Sequence, residues 1–244
     1  MPPSQGQFVF NDIRLNNIER RISKERLKPY LQLANDDRQF AIKLYEWNTS
    51  LSEAFYGILQ GFEVTLRNSF HEVLSNAFAR SDWYDAISFF KEVEVKNLQA
   101  AKERLAKANK QVGPDAVVPE LYFGFWVSLT GYNYNQTLWN AHLHQAFRQH
   151  MKRDTVYKKL FTIKNLRNRV AHHEIIIGRK LREDYLLIIN SINLICPDTS
   201  KWIGSNSTFL ERYDERPQPL PASSSQTQDV PPEETPNSTP EAAD

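Results

Sequence analysis

SLSEAFYGILQGFEVTLRNSFHEVLSNA, residues 50–77, is the stretch that decides the fold. Leu51, Ala54, Phe55, Ile58, Leu59, Phe62, Leu66, Phe70, Val73, Leu74 and Ala77 recur at steps of three and four. That spacing puts one apolar stripe along a helix. Ser50-Leu51-Ser52-Glu53 has the form of a capping box, in which each side chain bonds the other residue's free backbone N–H, so it predicts the start of this helix. Upstream, Asn35 or Asp36 caps a helix through Trp47, and an earlier one runs from Asn11 or Asp12 to about Leu27, closed before Pro29. Downstream, helices are expected at about 91–110, 135–151, 154–172 and 180–195, with Pro114 and Pro119 bracketing a connector. No period-2 alternation extends over more than a few residues. The expected fold is all-α, with residues 1–216 forming a single domain.

Composition agrees and narrows the function classes. Gly numbers only 8 while aromatics reach 12%, which disfavours glycine-looped nucleotide folds and turn-rich sandwiches. Cys196 is the single cysteine, so neither an intrachain disulfide nor a multi-thiolate zinc site can form within one chain. Neither a metal nor a cofactor is expected. The beginning of the chain has no signal-peptide pattern, and the most apolar run, Tyr185 to Cys196, is broken by Asn190, Ser191 and Asn193. A soluble cytoplasmic protein without a membrane span is the expectation. From Pro217 to Asp244 the chain is Pro, Ser, Thr, Gln and acid, unable to bury enough surface to order itself, and is read as a disordered tail. The tail holds five acids and no base, which leaves residues 1–216 with 30 basic against 24 acidic residues, a charge of +6 that suits a polyanionic partner.

The densest chemistry lies in Lys164-Asn165-Leu166-Arg167-Asn168-Arg169-Val170-Ala171-His172-His173-Glu174. At ~100° per residue, Val156, Leu160, Ile163 and Val170 fall within roughly 60° of Arg167, so the guanidinium leans with the buried face. It must meet an acid inside the protein or face an anion in a cleft or subunit interface. Arg167, Asn168 and His172, with His173 beside them as a supporting residue, make a phosphate-handling set. A buried arginine with its partner and two surface histidines is the alternative. A second group, Glu63, Arg67 and His71, stands at steps of four on the long helix. It is either an ion pair on the shoulder of the core or a group that orients Arg167.

Arg167-Asn168-Arg169-Val170-Ala171-His172 resembles the Arg–X4–His motif, with Asn in second place, of the HEPN superfamily of helical nucleases. Leu44 to Asn48 followed by Phe62 to Asn68 resembles the N-terminal signature of its abortive-infection (Abi-like) branch. Phe123 to Trp126 resembles the middle one and Leu166 to Glu174 the last, over roughly residues 18 to 213. The resemblance implies a HEPN-like helical bundle with extra helices, acting as a metal-independent endoribonuclease in phage-defence or toxin systems. Arg167 would be the phosphate-binding arginine, Asn168 the polar second position and His172 the catalytic histidine. Some members carry a tyrosine two places after the histidine that a partner enzyme modifies; Glu174 stands there instead, so that regulation is not expected. The partners implied are RNA, a second copy in a homodimer, and an antitoxin or other defence-system component. The competing reading is a catalytically silent RNA-binding or sensing module.

Three further features read more blandly. His142 and His144 point to opposite sides of a helix and suit no metal. Tyr132, Tyr134 and Trp139 read as packing residues, with base stacking the sharper alternative. Lys102, Arg104, Lys107 and Lys110 read as a solvated face that could also steer RNA.

Overall fold

A computed structural model describes residues 8–219. Among them there are ten α-helices and no strand. The predicted tail lies outside the described residues from 220 onward. Helix α3, Arg38–Phe78, runs 41 residues and is the axis of the molecule, packing against most of the other elements. At 1.5 Å per residue it is about 60 Å long. The stripe predicted for it is the core: Leu51, Phe55, Ile58, Phe62, Leu66, Phe70 and Leu74 are all essentially inaccessible.

The start of α3 differs from the expectation. Asp37 is its cap, its Oδ1 accepting from the Phe40 N–H at 2.9 Å, and the helix passes through Ser50 without a break. The apolar period simply continues backward through Trp47, Leu44, Ala41 and Phe40, which are buried on the same side. Ser52 does not cap. Its hydroxyl folds back to donate to the Asn48 carbonyl at 2.8 Å, the local bond that serine makes inside a helix. The end is as sharp as the start: Ala79 is left-handed at φ 51°, and the Arg80 N–H donates to the Ser75 carbonyl at 3.1 Å.

The N-terminal segment is two helices, α1 (Asp12–Ile22) and α2 (Lys24–Leu33), hinged at Ser23 with φ 85°. Pro29 therefore lies inside α2 instead of ending a helix. The break at Ser23 places it in the second turn, where the ring forfeits one bond, to Glu25, while Leu27 and Tyr30 on either side are buried.

Helix α4 (Glu92–Lys107) matches the expected 91–110 segment, but the Pro114–Pro119 connector is itself helical. Pro114 opens α5 (Pro114–Glu120) at the position where a missing N–H costs nothing, and α6 (Phe123–Ser128) follows. The expected helix at 135–151 is not regular. It is a π-turn at Asn135–Trp139, then a 3₁₀ turn at Leu143–Ala146. Tyr134, Leu138, Trp139, Leu143, Ala146 and Phe147 are all buried, too many for one α-helical stripe, and the widened turn lets them reach the core.

Helices α7 (Arg153–Ala171) and α8 (Leu181–Ile195) match the sequence reading. Two short helices follow, α9 (Pro197–Ser205) and α10 (Phe209–Asp214), which that reading did not foresee. Phe209 of α10 is buried against Phe55 and Tyr185, and the Arg212 carbonyl accepts from Trp47 Nε1 at 2.7 Å. Among the described residues, no helix is long and apolar enough to cross a membrane.

Candidate functional site

Helix α7 crosses α3 so that a small open cleft, about 250 Å³, lies between them. Glu63, Val64 and Arg67 line it from α3, and Arg167, Val170 and Ala171 from α7. Arg167 sits at the edge of the buried face, about a third exposed, with Nε 3.4 Å from Glu63 Oε2. Both possibilities read from the sequence are thus met at once, an acidic partner and an open cleft. Glu63 turns to Arg167 across the helices; the bond Arg67 makes on its own helix is from Nε to Asn68 Oδ1 at 3.1 Å. Burial pushes the Arg67 guanidinium below its ordinary pKa, opposed by the Glu63 charge. Two guanidinium groups and one carboxylate leave the cleft with one net positive charge.

His71 does not belong to this group. Its Nδ1 accepts from Trp83 Nε1 at 2.9 Å, and Trp83 is fully buried. Burial holds the His71 imidazole below its ordinary value, Arg67 adding to the effect and Asp115 opposing it. A histidine held low binds fewer protons folded than unfolded. Its contribution to stability is therefore complete above the unfolded value of about 6.5 and is lost on acidification below it. The urea midpoint of the parent is expected to fall between pH 7.5 and pH 5 more steeply than that of His71→Gln; parallel profiles would remove His71 from this role.

The end of α7 explains the geometry of the motif. His172 caps the helix, and His173 adopts the left-handed conformation at φ 56°. The His173 N–H donates to the Val170 carbonyl at 3.1 Å and the Glu174 N–H to the Arg169 carbonyl at 2.8 Å, the paired bonds of a Schellman turn. A non-glycine residue at φ 56° is strained, so the turn is held from outside. Arg26 Nη1 donates to the His173 carbonyl at 2.8 Å, and Arg169 Nη1 to the Ile175 carbonyl at 3.1 Å. Asn48, on the buried face of α3, takes the Ile176 N–H at 2.7 Å and the Ile177 N–H at 3.4 Å on Oδ1, and donates to the Glu174 carbonyl at 3.4 Å. His173 thus has a backbone task in shaping the turn. Asn48, absent from the sequence-derived site, anchors the segment that follows the motif.

Asn168 and His172 are exposed on the outer side of α7, and neither lines the cleft that holds Arg167. Around the helix axis, Arg167 and His172 are about 140° apart at ~100° per residue. Within one chain the motif therefore offers its arginine to one surface and its histidine to the next.

A larger groove, about 850 Å³, separates α3 from α9 and holds none of the predicted site residues. Gly57, Gly61, Trp202 and Ile203 form its walls, and Glu53 and Glu72 are the only charged residues on its lining. A groove lined by two acids and no base repels a polyanion, so size does not make it the site for phosphate chemistry. Cys196 lies on its rim, where hydrogen bonds from Thr199 hold the thiol below its ordinary pKa. Among the described residues, no three His, Cys, Asp or Glu side chains are grouped to hold a metal ion. Comparison with family models, with curated proteins and with solved structures returns no match.

Proposed function

We propose that this chain is a metal-independent endoribonuclease of the HEPN, Abi-like type, working as a two-fold homodimer in the cytoplasm and acting in phage defence or as a toxin. The observation that carries the reading is Arg167: a charged fork steered by Glu63 to the mouth of an open, net-positive cleft, five residues before an exposed histidine on the same helix.

In this mechanism the ribose 2′-hydroxyl attacks the adjacent phosphorus, a cyclic phosphate forms, and the 5′-oxygen leaves as a hydroxyl. One group removes the 2′-proton and another delivers a proton to the leaving oxygen. Imidazole suits both tasks because its ordinary pKa is roughly 6.5. The Arg167 fork neutralises charge gathering on the non-bridging oxygens, and Asn168 orients the ribose or the histidine. One His172 cannot be acid and base in the same step, and it faces away from the Arg167 cleft. A two-fold axis near the end of α7 resolves both difficulties, because it brings a second histidine and a second arginine to one strand.

Purified protein with EDTA present is expected to cleave single-stranded RNA and leave cyclic-phosphate ends, and to run as a dimer in light scattering. The second reading, a catalytically silent RNA-binding or sensing module, is favoured by the exposure of His172 away from the Arg167 cleft, which leaves no single-chain site complete. RNA binding without turnover under any condition would decide for it.

A further inference from the structure

The outer face of α7 carries a run of aromatic and cationic side chains that the motif does not account for. Tyr157 and Phe161 stack with ring centroids 6.0 Å apart and 27° between their planes. Lys164 Nζ sits 4.9 Å from the centre of the Phe161 ring. At the other end the Arg153 guanidinium lies between rings, 5.9 Å from Tyr132 and 6.0 Å from Tyr157. Two of these rings stand clear of the core, while Tyr157 is half-buried against it. Tyr132 is 82% exposed and Phe161 41%. The aromatics grouped in the sequence part company here: Tyr134 is buried with its hydroxyl bonded to Glu94, and Trp139 is buried against Phe147.

Charge and register add to this. Helix α7 holds six Lys or Arg against one acid, Asp154, and Lys158 neutralises that acid at 2.7 Å. Two residues of the more obvious basic helix are already engaged, Lys102 with Asp85 and Arg104 with Glu120. At ~100° per residue, Arg153, Tyr157, Phe161, Lys164, Asn168 and His172 share one face about 100° wide. The run from Tyr157 to His172 is about 22 Å long at 1.5 Å per residue.

We infer that this face is a track for single-stranded RNA, its bases stacking on Tyr132 and Phe161 while Lys164 meets the backbone and the strand runs toward Asn168 and His172. Arg153, 13% exposed and donating Nη1 to the Thr130 carbonyl at 2.8 Å, holds the Tyr132 and Tyr157 rings in place. Alternating rings and cations are what a sequence-tolerant single-strand site requires, because every base offers a π-face and every nucleotide a charge. A duplex hides its bases and cannot use the rings. The track deepens the ribonuclease reading and rests on it for the identity of the strand.

The test is fluorescence anisotropy with a labelled oligouridine of about 12 nucleotides, EDTA present, on full-length His172→Ala protein so that nothing is cut. Adding Phe161→Ala or Tyr132→Ala is expected to weaken binding by about 5- to 100-fold each, and Phe161→Trp to restore it. Lys164→Ala is expected to lower the salt dependence by about one phosphate contact, a slope change near 0.7. Tyr132 is so exposed that its replacement leaves the core intact, which separates loss of the track from loss of folding. Equal binding by all variants, equal binding of an RNA duplex, or no binding at all would overturn the track. Cleavage by the parent with an unchanged KM in Phe161→Ala and Tyr132→Ala would overturn it while the nuclease reading stood. Ring-dependent binding without cleavage would do the reverse.

Discussion

Replacing Arg167 with alanine is expected to slow RNA cleavage in EDTA by about 10²–10³-fold, the usual cost of removing a preorganised charge from the transition state. His172→Ala should cost about 10²–10⁴-fold, the range for a proton-transfer group. Arg167→Lys separates charge from shape. Lysine keeps the charge but loses the planar fork, so a substantial part of the loss should remain. Glu63→Gln should have a smaller effect, because it removes the partner that steers Arg167 at 3.4 Å and leaves the guanidinium in place.

The sharpest version mixes active and inactive protein. Arg167 lines the cleft and His172 does not, so the reading requires the site to draw on two protomers and to hold both histidines. Parent and His172→Ala proteins, co-refolded, are expected to give a mixed dimer nearly as slow as His172→Ala itself, since the shared site then has one histidine for two proton transfers. Initial rates on a fluorogenic RNA measure this. A verified mixed dimer at half the parental rate or more, or full activity of either variant alone, would end the assignment.

How much of this was legible in the sequence depends on the distance over which each feature is determined. The stripe from Leu51 to Leu74 is periodic and local, and it became the core of α3 as read. Projection of α7 turned Arg167 with the buried face, whereas it stands at the margin of that face, about a third exposed. The acid such a guanidinium needs is Glu63, which the sequence offered equally as an ion-pair partner on its own helix. The capping box at Ser50 was a correct local pattern in the wrong context, because the apolar period does not stop there and tertiary burial outweighs a cap. Short helices α9 and α10 have nine and six residues, too few to nucleate alone, and exist because Ile203 and Phe209 are buried against the rest. Tyr132 and Tyr134 differ by two positions and have opposite environments, which no composition rule separates.

Least legible was Asn48, and its replacement should produce the largest structural effect. The side chain is 4% exposed on a face otherwise made of Leu, Phe and Trp, and its bonds all go to residues more than 120 positions away. Asn48→Ala leaves the buried Ile176 N–H without an acceptor, a loss of about 1–3 kcal/mol, with a further contribution from the cavity. For a chain of this size each kcal/mol lowers Tm by roughly 2–4 °C. Asn48→Asp keeps the acceptor for the Ile176 and Ile177 N–H groups but turns the bond to the Glu174 carbonyl into a repulsion, so it should not rescue. The damage should be directional. Hydrogen exchange is expected to quicken first at Ile176 and Ile177, and RNA cleavage to fall beyond what the stability loss explains, because the strained turn at His173 loses its anchor next to His172. Asn48→Ala protein with parental Tm and parental exchange at Ile176 would show that the turn is held by Arg26 and Arg169 alone.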